Sequence, residues 1–418
     1  MTDSKITRPG VKRIIGVDLD LGALKTASPR YWAFVSLLLV VATFGLTAWG
    51  SALGGGGGVM GMRDSYPWGL WFVNYMYYVG LAAGGLIVYA AVHLFGAHQF
   101  HPLSRIAVLQ AGVLVMMALL GIITDMERPW RAVWMLVTPN PTSPFVYTGS
   151  AATIYMLIAF FDLWVLLTGW GGEKLAFRLT LVALPLAIYM HTTTAFVLSM
   201  NKSRELWNSA VMVPIFLTSA TASGVALLMI FAYTLQHFGV LKFKSSMFRS
   251  LSTLLATVMI IDLFLLVVEV IAIFWPTSAQ PGHAMRMAVF FTGGYAWAVL
   301  PVFVLGFTAF FILQRRKTRH LPIVQLTASG LYVVAVYFKR YSLMAMGFAI
   351  DPLGQHAAVF VPSLTEVGIA LFILSLGLLT VTAAAKVLPL EVPEHGDDER
   401  AAHGDPAPEP VLEAEVTL

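Results

Sequence analysis

Cysteine is absent from the 418-residue chain, which excludes disulfides and any iron–sulfur cluster ligated by the chain's own thiolates. Charge is scarce as well. Asp, Glu, Lys and Arg make up 11% of the residues, against about 25% in a soluble domain. With 58% hydrophobic residues and a mean hydropathy of +0.77, a water-exposed globular fold of this length is excluded. No metal-ligand spacing, catalytic triad or nucleic-acid patch occurs, so neither a metal nor a nucleic-acid partner is expected. The five glycines at 54–58 precede no lysine and read as a flexible turn rather than a phosphate cradle.

The formal charge of +4 conceals an asymmetry. Residues 391–418 hold nine acids and a single base, Arg400, leaving 25 bases and 13 acids on the other 390 residues. The bases cluster between hydrophobic runs, a pattern suited to lipid headgroups. Ten apolar runs are long enough to cross a bilayer, at about 31–53, 67–94, 104–126, 147–170, 176–199, 209–237, 247–275, 287–313, 322–348 and 363–386. The predicted fold is an all-α integral membrane protein of ten transmembrane helices. A segment over 1–29 with room for a short interfacial helix precedes a transmembrane domain over 30–386, and an acidic tail at 387–418 is expected to be disordered. The first run reads as an uncleaved anchor.

Ten spans put both ends of the chain on one side. The ends and the loops on that side carry 18 Lys and Arg, the opposite loops six. The positive-inside rule then places both termini in the cytoplasm of a bacterial inner membrane, with multiple passes through it.

Two parts of the chain echo each other. His93 closes the second span, and thirty-two residues later stand Asp125 and Arg128-Pro129-Trp130. His237 closes the sixth, and thirty-two residues later stands Glu269, followed by Phe274-Trp275-Pro276. Tyr189-Met190-His191 in the fifth span has its counterpart in Tyr337-Phe338-Lys339 in the ninth. These echoes predict two pseudo-repeated four-helix bundles, at about 67–199 and 209–348, flanked by one helix on each side. An even number of helices per unit makes the repeats parallel. Small-residue runs such as Ala82-Ala83-Gly84-Gly85 and Ser219 to Gly224 suit close helix crossings.

Ionisable groups inside spans are candidates for function by default. At about 1.5 Å per residue, His191 lies roughly 12 Å inside the outer boundary, Glu269 roughly 9 Å, and Lys339 with Arg340 roughly 12–14 Å. Asp125 lies at the outer rim beside Glu127, Arg128 and Arg131. Such a cluster suits a lipid-soluble molecule that exchanges protons with water, and quinones meet that description. His191, Asp125 and Glu269 are the expected proton-exchanging groups. Trp71, Asn74 and Tyr78 share one helix face and could hold a flat head group, or serve as an interfacial aromatic belt. Arg128, Lys339 and Arg340 are further candidates for positioning it. Asp262 and Glu269 share a face of the seventh span, and with Asp162 they form either a proton path or structural pairs, such as Glu269 with Arg340. The histidines near the inner face do not support haem.

Tyr66-Pro67-Trp68-Gly69-Leu70-Trp71-Phe72 running into Gly80-Leu81-Ala82-Ala83-Gly84-Gly85 resembles the NrfD/PsrC family of quinone-interacting membrane subunits. Thr124-Asp125-Met126-Glu127-Arg128-Pro129-Trp130, and the stretch 207–214 leading to Ser223-Gly224, are similar to its later motifs. The resemblance is to the ten-helix branch found in the quinone reductase complex, alternative complex III and hydrogenase-2 membrane subunits. It implies a subunit without haem or cluster that binds quinone (menaquinone or ubiquinone) as substrate near the periplasmic face. It implies partners too: a ferredoxin-like iron–sulfur subunit on that face, for which the outer loop 127–146 offers a docking surface, and further oxidoreductase or cytochrome subunits. It implies contact of Asn74 with quinone, while Tyr77 stands where family members carry a His. Coupling to proton translocation is a further expectation. A secondary transporter with a midplane site, or a purely structural anchor, are the alternatives.

Overall fold

The computed structural model describes residues 11–55, 59–126, 128–204, 206–275, 290, 294–350 and 359–391. Glu127 and the acidic tail beyond 391 lie outside the described residues. All ten apolar runs contain helices: α1 Pro29–Gly55, α2 Leu70–His93, α3 Ser104–Asp125, α4 Pro144–Thr168 and α5 Gly172–Ser199. They continue as α6 Met212–His237, α7 Ser245–Phe274, α8 Ala296–Gln314, α9 Pro322–Ala349 and α10 Leu364–Val387. The protein is a multi-pass, all-α membrane protein.

Local chemistry sets several helix ends. Pro144 and Pro322 sit in the first turns of α4 and α9, where a missing N–H costs nothing. Gly169 stops α4 in a left-handed conformation (φ 70°). The segment before α1 departs from the expected interfacial helix. It forms an antiparallel hairpin, β1 Val11–Ile14 with β2 Val17–Asp20, before one short helical turn. Ile15 and Gly16 both have positive φ, 50° and 80°, as a two-residue hairpin turn requires. Trp164 of α4 donates its indole N–H to the Ile15 carbonyl at 2.8 Å, docking the turn on the helix.

Helix contacts divide the membrane domain into two groups of the same plan. In the first, α2 and α4 each pack on α3 and α5; in the second, α6 and α8 each pack on α7 and α9. Between the groups α2 lies on α6, and α2 meets α9 as α6 meets α5. That exchange of partners is what a two-fold axis along the membrane normal produces in parallel repeats. The flanking helices α1 and α10 pack on each other, and α10 leans on α2 and α3. Lys386 of α10 lies 6.0 Å over the Tyr31 ring of α1, and Arg105 of α3 donates to the Pro389 carbonyl at 2.7 Å. The start of α1 and the end of α10 therefore share one face.

The seam between the groups is backbone on backbone. A Cβ built on Gly84 would lie 2.0 Å from the Gly224 carbonyl carbon, and one on Gly224 would lie 2.3 Å from the Gly84 nitrogen. Only glycine permits that approach. The buried amide of Gln110 on α3 reinforces it, donating to Leu81 O at 3.3 Å and Gly224 O at 3.1 Å. Gly84→Ala should therefore destabilise the detergent-solubilised chain by about 1–3 kcal/mol or more. Gly330→Ala, with nothing within 4 Å of the new Cβ, should be neutral or slightly stabilising. Thermal unfolding of the two variants side by side checks this, and equal midpoints would refute it.

Candidate functional site

The first family-like motif caps the ends of both helix groups that lie away from the face shared by α1 and α10. Trp68 stacks on Trp207 at 5.4 Å with 10° between planes, and both rings abut Phe348 edge-on. Trp207 is fully buried and donates its indole N–H to the Leu343 carbonyl at 2.7 Å. Tyr66 and Tyr295 hydroxyls lie 2.6 Å apart; the Phe360 N–H donates to Tyr295 at 2.6 Å, and Tyr66 donates to Ala345 O at 3.2 Å. Burial, with the Tyr295 hydroxyl beside it, pushes the Tyr66 phenol above its ordinary range, so it stays a donor. Loops from both groups are thus bound into one outer surface.

Beneath this cap, Trp71, Asn74, Thr124 and Glu366 line a small cavity, together with Met60 and the α10 residues Ile369, Ala370 and Ile373. Its polar inventory is unusual. Among the described residues the buried Trp71 indole Nε1 has no partner, and neither has the Oδ1 of Asp125, next to Thr124. The Asn74 Oδ1 accepts a long bond from the Tyr337 hydroxyl at 3.4 Å, leaving the amide Nδ2 to donate. An orphaned donor, an amide donor and an orphaned carboxylate oxygen thus lie within one small region; buried polar atoms seldom stay unpaired without a reason.

Glu366 is the group that sequence reasoning missed. Its Oε1 accepts the Leu70 N–H at 2.9 Å, and its Oε2 accepts the N–H of Gly61 at 3.1 Å and of Ser363 at 2.8 Å. The Glu366 N–H in turn donates to the Ser363 hydroxyl oxygen at 3.2 Å, completing a capping box. One carboxylate therefore starts α10, starts α2 and pins the loop before it. The Ser-x-x-Glu signature ahead of the last apolar run was the available signal.

The other expected site residues fall elsewhere. Tyr77 and Tyr78 do not line this cavity: Tyr77 turns to α9, donating to Val333 O at 3.3 Å and meeting the Tyr337 ring edge-on at 5.1 Å. Tyr78, one turn below Asn74, is buried against Tyr77. Arg128 is exposed in the outer loop. His191 is fully enclosed between α5 and α2, with Nδ1 2.7 Å from Ala187 O and Nε2 3.0 Å from Val79 O. A neutral imidazole can donate to only one of those carbonyls, and both nitrogens are occupied. Arg340 lies at the seam, donating to the Ser219 hydroxyl at 2.6 Å, its guanidinium 3.9 Å over Phe216 and its Nε and Nη1 without partners among the described residues.

The suggested pairing of Glu269 with Arg340 is replaced by another. Asp262 and Lys339 form a buried ion pair at 2.7 Å, with Asp262 also accepting from Tyr332 at 2.7 Å and Thr218 at 3.2 Å. Glu269, on the same face of α7, accepts from Ser209 at 2.7 Å. Asp162 is held in the first group by the Tyr89 hydroxyl at 2.9 Å. Lys339 is thus committed to Asp262, while Asp162 and Asp262 are held by tyrosines of different groups. Spacing along a helix gives a shared face, but which neighbour that face meets depends on helix rotation, which spacing leaves open.

Known proteins supply relatives of this chain. The family described as polysulphide reductase, NrfD, matches residues 58–351. The chain is 26% identical to a dimethyl sulfoxide reductase membrane subunit of Halobacterium salinarum, over 87% of this chain and 92% of that one. It is 26% identical to an Hdr-like menaquinol oxidoreductase integral membrane subunit of Archaeoglobus fulgidus, over 77% and 80%. It is 29% identical to a selenate reductase subunit of Mesobacillus selenatarsenatis, over 50% and 58%.

The buried pair makes a stability prediction. Asp262→Asn or Lys339→Met alone strands a charge in the interior and should cost about 3–5 kcal/mol. The double variant should recover much of that loss. Chemical unfolding in detergent measures all three proteins, and strictly additive losses would show the two groups to be uncoupled.

Proposed function

The chain belongs to the polysulphide reductase, NrfD, family, and from that premise we propose that it is the quinone-reactive membrane subunit of a respiratory oxidoreductase complex. The observation that carries the reading is the small cavity between α2, α3 and α10, lined by Trp71 and Asn74, with Asp125 next to its wall residue Thr124. Quinone is the substrate in this reading, menaquinone in the relative whose name specifies one. Trp71 and Asn74 donate to the oxygens of the ring, and Asp125 faces the outer rim as proton acceptor. Oxidation of a quinol releases two protons and two electrons. The first proton passes to the Asp125 carboxylate and on to outer water, and the second follows once Asp125 is free. Glu366, saturated by three backbone N–H groups, acts as a positioning residue that keeps α10 closed over the cavity. In the reverse direction the same groups deliver protons to quinone.

The electrons need an acceptor outside the chain, because it contains no cysteine to hold a cluster. An iron–sulfur subunit on the periplasmic face meets that need, with further oxidoreductase subunits beyond it. Trp130 and Trp134, 68% and 58% exposed on the outer loop, supply an apolar docking surface near Asp125. The face shared by the start of α1 and the end of α10 is the cytoplasmic one in a bacterial inner membrane, as the distribution of Lys and Arg supports. A purely structural anchor would have no use for the unpaired groups of the cavity.

Two measurements test this reading. In the complex purified from its native membrane, Asp125→Asn should lower quinol turnover about 10²-fold or more without loss of assembly; undiminished turnover would reject the site. The absence of native cysteine makes single-cysteine labelling clean. With a membrane-impermeant maleimide applied from the periplasmic side, Thr142→Cys should react and Lys244→Cys should not; the reverse pattern would invert the orientation.

A further inference from the structure

The second helix group contains a chamber that this function does not use. All four helices α6–α9 contribute, and Leu266, Val302, Phe303 and Met346 are representative of its aliphatic and aromatic wall. Three polar groups break that wall: Glu269, Lys339 and Ser342. In the first group, the space between α2, α4 and α5 is closed instead by a hydroxyl chain, Tyr75 to Thr148 at 2.8 Å and Thr148 to Thr194 at 2.7 Å.

Ser342 supplies the independent sign of a ligand. It is 5% exposed, it lines the chamber, and among the described residues its hydroxyl has no hydrogen-bond partner. A serine in a helix ordinarily bonds back to the preceding turn, so an unpaired hydroxyl facing a cavity calls for an occupant. The remaining polar groups define what that occupant carries. Lys339 gives one N–H to Asp262 and has two more, while Glu269 accepts from Ser209 through Oε2. An anionic head would face the carboxylates of Glu269 and Asp262, and a cationic head would face Lys339. An uncharged head with oxygen functions meets neither penalty and can both accept and donate.

We propose that this chamber is a second amphiphile site, taking an uncharged oxygen-bearing head group on an apolar chain, with Ser342, Glu269 and Lys339 as its polar contacts. A prenylated quinone and a neutral glyceride share that chemistry. The site is distinct from the cavity between α2, α3 and α10 and does not depend on it.

The test uses the complex purified with its native partners and placed in phosphatidylcholine nanodiscs, irradiated with an azidonaphthoquinone bearing a short prenyl chain. Two sets of labelled peptides are expected, one around Trp71 and Thr124, the other over 266–270 and 342–346. Val302→Trp, which fills the chamber, and Ser342→Leu, which removes its orphaned hydroxyl, should each cause loss of the second label alone. Competition identifies the source. Loss of the second label to excess dioleoylglycerol assigns a neutral lipid, loss only to unlabelled naphthoquinone assigns a quinone, and either supports the site. Equal competition by dioleoylphosphatidylglycerol would overturn the uncharged head. A label at Trp71 and Thr124 without one on α7 and α9 would overturn the chamber, as would a second label that survives both substitutions. A second label without the first would instead overturn the quinone cavity and leave the chamber standing.

Discussion

The contact of Gly84 with Gly224 sets the geometry from which the rest of the membrane domain follows. In lipid there is no hydrophobic gain from bringing two apolar helices together, so association rests on close packing and on buried polar bonds. The α2–α6 seam uses both: bare backbones in contact, and the Gln110 amide bonded to carbonyls on each side of it. With that distance set, α2 reaches α9 and α6 reaches α5. Asn74 then meets Tyr337, and Arg340 lies beside Gly80 with its guanidinium on Phe216. A bulkier seam would separate these groups before it separated the bundles.

The two helix groups share a plan but not a chemistry. At positions that echo one another, the first carries Asp125 and His191 and the second Glu269 and Lys339. In the second group the lysine is neutralised by Asp262 within a ring of hydroxyls, and an aliphatic chamber lies alongside. In the first, the histidine is locked between two carbonyls and the aspartate is left at the rim with an unpaired oxygen. Duplicated architecture has thus placed similar residue types at similar depths, and their immediate neighbours decide how each is bonded.

Much of this was legible in the sequence. Apolar length located all ten helices, because a bilayer leaves few alternatives for a run of that size. The paired motifs pointed to two groups, and the small-residue runs named both sides of the seam. Trp71, Asn74 and Asp125 emerged as one neighbourhood since each stands near the outer end of its helix. Tyr78 was expected with them from its spacing, yet it packs on Tyr77 away from the cavity, because a shared face one turn deeper meets a different neighbour. Asp262 with Lys339 could not be deduced, for the rotation of α9 about its axis is set by packing. Glu366 escaped attention because an acid at the third position of a helix reads as a local cap, whereas its carboxylate also holds a loop three hundred residues away in the chain.

The burial of α2 bears on how the protein is made. Within its most apolar stretch 83% of residues are enclosed by protein, against 11% for α1. A helix that ends so completely enclosed leaves the insertion machinery four helices ahead of α6, the partner that covers its glycine face. During that interval the face is open to lipid, which cannot enter the narrow groove or satisfy Asn74. Pairing with α3, the next helix synthesised, closes the Gly85 side against Ala107. The arrival of α5 then engages the Val79 carbonyl through His191. α6 then covers the glycine face, and α9 and α10 complete the enclosure of α2.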